Sequence, residues 1–416
     1  MLKFEEEHWE DLLADLQTNG DNLTQQERSV INLIASDNAI PSFFSNNPPY
    51  KGYMIQEGLV NRRPFAGAIF HDSIEEIAAR AACKVFHADH ANLQPHSCSQ
   101  ANQAVYHALL KPGDKILALG FKDGGHLTHG LKLNFSGRSY QFEFYGTGAD
   151  GLIDYAEALD LALKISPQLI ICGSSAYPRL FDAQKLRDIA DSVGAKLMFD
   201  LSHEAGLIAA GVIPNPIPLA DVATMSLDKT LRGPFGGAIL CKDSYKDLID
   251  KAVHPGTQSS FSVRKIADAA HALILTQESQ FKAYAERTLA NAKALEYAFK
   301  SYPGLLLTGG TDKHYVILDV QAIFNVTGEI AEQRLENMGI LSSRQTLPRD
   351  RSAKMSMGSG LRLGTAWASS RGYGVSDFNE IADIILKALM QNEEPKQLAA
   401  RTMALSQQKR KYDVWL

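Results

Sequence analysis

The stretch that decides the fold is Lys196–Gly206, with the sequence KLMFDLSHEAG. Four mostly apolar residues are followed by Asp200 and then by small and polar residues. A run this short and this apolar is typical of a strand buried on both faces of a parallel sheet. Because loops at the carboxyl ends of such strands collect ligand-binding groups, Asp200 is a candidate functional carboxylate. The alternative is that Asp200 only caps the turn that follows.

Similar short apolar runs recur along the chain, with helical patterns between most of them. They are Lys115–Leu119, Leu169–Cys172, Ala223–Leu227 and Ala238–Cys241. This alternation predicts an α/β fold, with a mostly parallel central sheet and helices on both faces. We expect the last run to be antiparallel, because the segment that joins it to its predecessor is too short for a helical crossover.

The flanking segments predict two further parts of the molecule. Apolar residues at helical spacing over about 5–35 indicate an N-terminal helical arm, and 41–70 is rich in Pro, Gly and Asn, which favours a loop that lines a site. Residues 262–300 indicate one long helix or two, followed by strands and a helix near 378–390. The predicted parts are an arm and loop over 1–85, a large α/β domain over 86–280 and a smaller C-terminal α+β domain over 281–416.

Composition argues against several classes of protein. The 416 residues are 45% apolar, with a net charge of -5 and scattered basic residues, so a nucleic-acid partner is not expected. The 4 cysteines form no C-x-x-C pair, which argues against a zinc site or disulfide framework and favours a reducing cytoplasm. No uncharged apolar run reaches the roughly 18 residues of a membrane span, and no export segment is apparent. The expected partner is a small molecule.

A lysine occupies the equivalent place after the next strand. Lys229 lies in the segment DKTLRGP, at the same predicted sheet edge as Asp200. A lysine there can form an imine with an aldehyde cofactor, and a carboxylate on the neighbouring strand can keep a pyridine nitrogen protonated. The alternative is a solvated lysine, since most lysines are exposed.

Three weaker patterns are compatible with the same chemistry. Residues 95–102 are small and polar and lead into a helical pattern, which suits either a phosphate cradle or an ordinary serine N-cap. The loop Gly124–Gly130 carries His126 and His129, which can contact a planar cofactor; a metal is not expected, because no recognised ligand spacing is present. Arg362 is a lone cation in an apolar strand, bound either to a substrate carboxylate or in a buried salt bridge.

Together these motifs resemble the serine hydroxymethyltransferases, which are fold-type I pyridoxal-phosphate enzymes. The resemblance runs in order along nearly the whole chain and implies that fold, with a smaller C-terminal α+β domain. The matching segments are Leu33–Ser36, Gln94–Ser97, Ser99–Asn102, Gly124–Gly130, Ala209–Val212, Pro214–Pro216, Lys229–Pro234 and Ser359–Arg362.

The resemblance also implies roles for individual residues. Lys229 would form the Schiff base with pyridoxal 5'-phosphate, and Asp200 would pair with the ring nitrogen. The other cofactor-binding residues would be Ser97, Cys98 and Ser99 at the phosphate, His126 stacked on the ring, Ser175 and His203 near the phenolic oxygen, and Ser259 and Ser260 at the place of a phosphate-binding loop from the partner subunit. The substrate-binding residues would be Ser36 and Arg362 at the carboxylate, Phe65, and Glu57. With Lys229, His126 and Asp200, Glu57 completes the implied catalytic set and reaches the neighbouring subunit's site in a homodimer.

Several positions depart from the family pattern, mostly on the folate and substrate side. Asp228 replaces a histidine before the lysine and adds a negative charge beside the imine. The other substituted positions are Ile55, Pro64 and Phe65, where the family has tyrosines, Ser259–Phe261, where it has Gly-Gly-Pro, and Thr346, where it has an asparagine that contacts the pterin.

Three hypotheses about function follow. The first is serine and glycine interconversion with tetrahydrofolate, which the presence of Glu57 and Leu127 favours. The second is a folate-independent aldol or transaldol reaction on threonine or another β-hydroxy amino acid, which the lost tyrosines and Thr346 favour. The third is a non-catalytic relative, against which the presence of Lys229 and Asp200 argues. We expect the first, as part of one-carbon and amino-acid metabolism.

Overall fold

The computed structural model describes residues 9–39, 41, 55–351, 354 and 357–409. Within these ranges the strands are β1 (Ile31–Asn32), β2 (Ile55–Glu57), β3 (His90–Asn92), β4 (Lys115–Leu119), β5 (Gln141–Tyr145), β6 (Leu169–Gly173), β7 (Lys196–Asp200), β8 (Val222–Ser226), β9 (Gly237–Cys241), β10 (Ser260–Ser262), β11 (Tyr315–Asp319), β12 (Ile340–Leu341), β13 (Ser343–Gln345) and β14 (Gly360–Gly364).

Helices lie between most of these strands. The α-helices are α1 (Trp9–Ser29), α2 (Ile69–Phe86), α3 (Cys98–Leu109), α4 (Phe135–Ser139), α5 (Tyr155–Ile165), α6 (Ala183–Val193), α7 (Ala205–Ala209), α8 (Lys246–Lys251), α9 (Val263–Leu275), α10 (Ser279–Phe299), α11 (Val320–Phe324), α12 (Gly328–Asn337), α13 (Ala366–Ser370), α14 (Val375–Met390) and α15 (Pro395–Gln408). Shorter helical turns lie at Ile217–Leu219, Asp243–Tyr245 and Ala252–Thr257.

The central sheet confirms the predicted α/β fold. Its seven strands have the order β3-β9-β8-β7-β6-β4-β5. The five strands from β5 to β8 in that order run parallel, whereas β9 is antiparallel to β8, as its short connection predicts, and β3 is antiparallel to β9. Every residue of β6 and β8 is buried, because helices cover both faces. The edge strands β3 and β5 are not among the predicted ones, since the first has three residues and the second is mostly exposed.

The N-terminal segment departs from the prediction after residue 29. Helix α1 ends at Ser29, and β1 follows, parallel to β12. Buried and partly exposed side chains alternate from Ile31 to Ala35, which is the period of an extended chain, so the prediction of a helix as far as about residue 35 is wrong. Burial of Ile31 and Leu33 in the core of the C-terminal part explains the change. Residues 42–54 of the loop predicted over 41–70 lie outside the described residues; within the rest, 55–57 form β2 and helix α2 begins at Ile69, so the loop is shorter than predicted.

The C-terminal part contains a second core. The region predicted as one helix or two forms two, α9 and α10, and β11, β14 and β13 form an antiparallel sheet. The apolar residues around this sheet form a cluster distinct from the one around the central sheet. The division at residues 85 and 280 stays a prediction.

Two expectations from composition can be compared with the structure. All four cysteines are free, and Cys83 is the least buried of them. Among the described residues, no helix has both the length and the apolar character that a membrane crossing requires.

Helix α7 packs very closely on the segment that follows β8. The backbone N–H of Gly206 donates to Oγ1 of Thr230 at 3.0 Å. A Cβ atom at Gly206 would lie 2.1 Å from the carbonyl oxygen of Thr230, which is backbone and cannot move aside alone. Glycine is therefore required for the contact that holds the segment after Lys229.

We expect Gly206→Ala to lower the free energy of unfolding by about 1–3 kcal/mol, because the added methyl group forces the two backbones apart. Gly20→Ala is the matched control: Gly20 lies in exposed helix α1 with open space where a Cβ atom would stand, and its replacement should raise stability by up to about 1 kcal/mol. Urea unfolding of both variants measures the effects. Equal stability of the two variants would contradict the steric argument.

Candidate active site

Asp200 and Lys229 come to the same edge of the central sheet. Asp200 is the last residue of β7, and Lys229 follows the end of the neighbouring parallel strand β8. His203 lies between the two segments, with its Nε2 3.4 Å from Nζ of Lys229. The structure therefore brings together the two groups on which the sequence hypothesis depends.

The carboxylate of Asp200 is buried and accepts hydrogen bonds at both oxygens. Oδ1 accepts from the hydroxyl of Ser202 at 2.6 Å and from its backbone N–H at 3.1 Å. Oδ2 accepts from the Asn102 amide at 2.9 Å and from Nε2 of His129 at 3.2 Å. The thiol of Cys98 lies 3.6 Å from Oδ1. The alternative that Asp200 only caps a turn does not account for these partners.

These contacts determine the charge of Asp200. Burial by itself raises the pKa of Asp200, but the hydrogen bond and positive potential of His129, the potential of His126 and the hydroxyl of Ser202 outweigh it and hold the pKa well below its usual range. The carboxylate is therefore ionised. A buried negative charge at a strand end suits a protonated ring nitrogen.

His126 is held in one orientation by a short chain of hydrogen bonds. Its Nδ1 lies 2.7 Å from Oγ1 of Thr128 and accepts from the backbone N–H of Thr128 at 3.3 Å. Asn102 in turn donates to Oγ1 of Thr128 at 2.8 Å. Burial, followed by the potential of His129, lowers the pKa of His126 to about 4. The ring is therefore neutral, with its proton on Nε2.

Arg362 is a buried cation in β14. Its side chain donates to the carbonyl oxygen of Ser175, and its Nε lies 3.3 Å from Oγ of Ser343. Its guanidinium lies 5.9 Å from the ring centre of Tyr315. Arg362 is 6% exposed, yet none of the ion pairs within the described part of the chain includes it. The structure therefore does not support the salt-bridge alternative.

The predicted phosphate loop forms the start of α3. Ser97 is the N-cap, and its Oγ accepts from the backbone N–H of Gln100 at 3.2 Å. Strand β9 packs directly on this turn, since a Cβ atom at Gly237 would lie 2.4 Å from the Ser97 carbonyl oxygen. The side chain of Cys98 points to Ser202 and Asp200 instead of the loop, so only its backbone N–H is left for a phosphate. Ser99 is partly buried at the same turn.

Glu57, Ser259 and Ser260 lie together, in the pairing of β2 with β10. Ser260 is opposite Glu57 in the antiparallel register, and Oγ of Ser259 donates to Oε2 of Glu57 at 2.5 Å. Both serines are exposed. Among the described residues, no side-chain contact joins Glu57 to Lys229 of the same chain.

The remaining predicted site residues differ in their burial and in their contacts. Ser36 is partly buried, next to Ala35, whose carbonyl oxygen lies 3.0 Å from Nε2 of His314. Phe65 is 44% exposed. Ser175 lines the site through its backbone oxygen, which binds Arg362.

Two of the positions that depart from the family pattern are withdrawn from solvent. Burial is the main cause that raises the pKa of Asp228, while the charge of Lys229 acts in the opposite direction. Thr346 is 4% exposed.

Several residues around Asp200 and His203 have no role in the sequence hypothesis. They are Asn102, Thr128, Ser202 and His314. The first three lie in the polar segments that predict the site, so their position there was an available signal. His129, which the sequence offers as a cofactor contact, binds Asp200. His314 follows a buried lysine before β11, and nothing in the local sequence relates it to His203.

His126, His129 and Asp200 place their ligand atoms within 4.8 Å of one another, which is the spacing of a metal site. Sequence spacing does not reveal this cluster, since Asp200 comes from another strand. Nε2 of His129 donates to Oδ2 of Asp200, and Nδ1 of His126 accepts from the backbone N–H of Thr128. Hydrogen bonding among these residues accounts for the cluster without a cation.

The neutral imidazole of His126 predicts a pH dependence of stability. In the unfolded chain a histidine binds a proton near pH 6.5, whereas in the folded protein His126 does so only near 4. Between these values the unfolded chain binds more protons, so acidification favours unfolding, by about 3 kcal/mol once pH falls below 4. Urea unfolding from pH 7 to pH 4 should show a shallower decline for His126→Asn than for the unmodified protein. A parallel decline in both proteins would contradict the prediction.

The comparisons with known proteins agree with the resemblance seen in the motifs. The sequence model of a family described as serine hydroxymethyltransferase matches residues 13–385. The serine hydroxymethyltransferase of Mesoplasma florum is 43% identical over 372 residues, which are 89% of this chain and 90% of that protein. That of Mycoplasma capricolum is 40% identical over 385 residues, which are 92% of this chain and 93% of the relative. The chain therefore belongs to the serine hydroxymethyltransferase family.

Proposed function

We propose that this protein is a pyridoxal-phosphate-dependent enzyme that interconverts serine and glycine with tetrahydrofolate. The observation that carries the proposal is Arg362, a buried guanidinium without an ion-pair partner in the described residues, next to the site of Lys229. Burial first, and then the potentials of the Lys229 and Arg362 side chains, lower the pKa of His203, so both side chains lie near this ring. A buried cation needs an anion. An α-amino acid offers a carboxylate for Arg362 beside an amino group for the cofactor.

The residues present fit pyridoxal 5'-phosphate. Asp200 is an ionised buried carboxylate that can hold a protonated ring nitrogen, and Lys229 follows the adjacent strand. Ser97 keeps its hydroxyl proton free for a phosphate, because the oxygen accepts from the helix backbone. When bound, the cofactor supplies an electron-withdrawing ring that stabilises negative charge at Cα of the substrate.

The side chains then have separate tasks. Asp200 would keep the ring nitrogen protonated, and His126, neutral and held by Thr128, would contact the ring. Arg362 and Ser36 would hold the substrate carboxylate and so orient the bonds at Cα. Glu57 exchanges a proton with the β-hydroxyl group, a task for which a carboxyl group is suited.

The position of Glu57 supports a homodimer as part of the proposal. Glu57 is hydrogen-bonded to exposed Ser259 beside the strand pair β2–β10, and no contact among the described residues joins it to Lys229 of its own chain. A carboxylate and two serines on one exposed strand pair can together complete the site of a second copy. A cytoplasmic location, where four free cysteines stay reduced, also belongs to the proposal.

The reaction is tested by incubating the purified, cofactor-loaded protein with serine, with and without tetrahydrofolate. We expect glycine formation that tetrahydrofolate stimulates at least tenfold, together with folate-dependent exchange of the glycine α-proton. Arg362→Lys keeps the charge but loses the paired N–H groups, so KM for serine should rise by about tenfold or more. Lys229→Ala should abolish turnover.

Threonine is the discriminating substrate. Release of acetaldehyde from threonine at a rate that folate does not change, with no cleavage of serine, would replace the proposal by the aldol alternative. Arg187→Lys, a matched substitution of a partly buried arginine at Asp221, should not alter KM.

Shared sites predict complementation between two inactive variants. A heterodimer of Glu57→Gln and Lys229→Ala chains has one site with an intact lysine and an intact glutamate if Glu57 crosses to the partner. After subunit exchange, the mixture should recover about a quarter of the unmodified activity, since half of the dimers are mixed and each has one intact site.

The control for complementation mixes Lys229→Ala with Asp200→Asn. Both residues act in the site of their own chain, so each site of this mixed dimer lacks one of them and no activity should return. Failure of the first mixture to recover, after subunit exchange has been verified, would assign Glu57 to its own chain.

A further inference from the structure

The site lies next to a buried ion pair that the proposed reaction does not use. Glu204 follows His203 in the turn after β7, and Lys313 precedes His314 at the start of β11. The Oε1 atom of Glu204 pairs with Nζ of Lys313, and their side chains are 6% and 0% exposed. Burial lowers the pKa of Lys313, but Glu204 outweighs burial and raises it, so the ammonium is charged.

The ion pair joins the two cores beside a stacked pair of histidines. Residues 203 and 204 belong to the central-sheet part, and residues 313 and 314 belong to the part with the second sheet. The rings of His203 and His314 lie 5.3 Å apart at 18°. Lys313 also contacts Oγ of Ser174 at 3.2 Å. His203 and Glu204 of the central-sheet part thus contact His314 and Lys313 of the other part. The ion pair and the stacked rings therefore lie side by side.

The stacking determines which nitrogen of His203 carries a proton. The carbonyl oxygen of Ala35 can only accept, so Nε2 of His314, 3.0 Å away, carries a proton. Nδ1 of His203 lies 3.3 Å from that Nε2 and is therefore the nitrogen without a proton. Burial and nearby cations hold the pKa of His203 well below its usual range, so the ring is neutral and its proton lies on Nε2. That N–H faces Nζ of Lys229 at 3.4 Å.

A donor at this position favours a Lys229 nitrogen that carries a lone pair. Such a nitrogen is the form that can attack an aldehyde, since a protonated amine has no free electron pair. The tautomer of His203, and with it this preference, depends on His314 staying in its stacked position. The ion pair beside the rings holds that position.

We propose that Glu204 and Lys313 are positioning residues for Lys229: their ion pair holds His314 against His203 and balances the charge around the Lys229 nitrogen. The inference rests on the proposed function, because its readout is the cofactor bound at Lys229. The other charged or titratable groups that face this cluster are Asp37, Tyr177, Asp228, Tyr315 and Arg362. All of these stay unchanged in the variants below.

The two members of the pair should shift the site in opposite directions. The pH titration of visible absorbance in the cofactor-loaded protein reports gain and loss of a proton at the Lys229 nitrogen. Glu204→Gln leaves Lys313 without its counter-charge, so a second cation nearby is disfavoured and the midpoint should fall. Lys313→Met leaves Glu204 unpaired, so the midpoint should rise. A shift of about half to one pH unit is expected for each, since both charges are buried and Lys313 acts on His203, which contacts Lys229.

The double variant Glu204→Gln/Lys313→Met separates charge balance from packing. It removes both charges, so the midpoint should return towards that of the unmodified protein. Removing one member of a buried pair is more damaging than removing both. If Glu204→Gln or Lys313→Met does not fold, Glu204→Asp provides the same test, because it keeps the charge and withdraws the carboxylate by one methylene. Its midpoint should fall by a smaller amount.

Asp221→Asn is the matched control at the opposite end of the strands. Asp221 precedes β8, pairs with Arg187 and Lys242 at 2.9 and 2.8 Å, and its side chain is 12% exposed. Its replacement should lower resistance to urea without moving the absorbance midpoint. The midpoint and urea unfolding are therefore measured for every variant.

Three outcomes separate the hypotheses. Opposite midpoint shifts in the single variants, with recovery in the double variant, support the positioning role. Unchanged midpoints, or shifts of the same sign, would overturn it and leave Glu204 and Lys313 as purely structural residues. Absence of any visible cofactor absorbance in the unmodified protein would instead refute the proposed function itself.

Discussion

The arrangement of the site depends on a single buried negative charge. A carboxylate removed from water is costly unless hydrogen bonds replace its hydration. Asp200 obtains those bonds from helix α3, from the loop after β4 and from the turn after β7, so three segments must converge on one point. Thr224 of β8 completes the network: its hydroxyl donates to Oδ1 of Asn102 at 2.6 Å. The same interactions that make the burial tolerable also position His126.

The cost of burying a charge also determines the protonation of the imidazoles in the site. His126, His203 and His314 all have lowered pKa values, first of all because they are buried. Neutral rings leave Arg362 as a positive group of the site that forms no ion pair with the described residues, and they surround the nitrogen of Lys229 with uncharged neighbours such as His203. The distribution of charge therefore suits a substrate with one carboxylate and a cofactor with one aldehyde.

The polar side chains that surround these groups are used in different ways. Cys98 turns its thiol towards Asp200 and does not line the phosphate loop with its side chain. Ser259 gives Glu57 a hydrogen-bond donor that glycine, the residue expected from the family pattern, could not provide. Glu204 and Lys313 form a buried ion pair between the two cores. All of these contacts lie beside Lys229, Asp200 or Glu57 and support those groups without replacing them.

The sequence by itself determined the strands that carry Asp200 and Lys229, the antiparallel β9 and the lone cation Arg362. It could do so because short apolar runs and connection lengths are local properties of the chain. Local periodicity failed at residues 31–35, where the apolar residues turn inward from a strand that pairs with β12. Only the tertiary structure decided that His129 and Asn102 meet Asp200, that Glu57 lies beside Ser259, and that His314 stacks on His203. Those contacts join residues far apart in the chain, and their energies depend on burial, which no local pattern encodes.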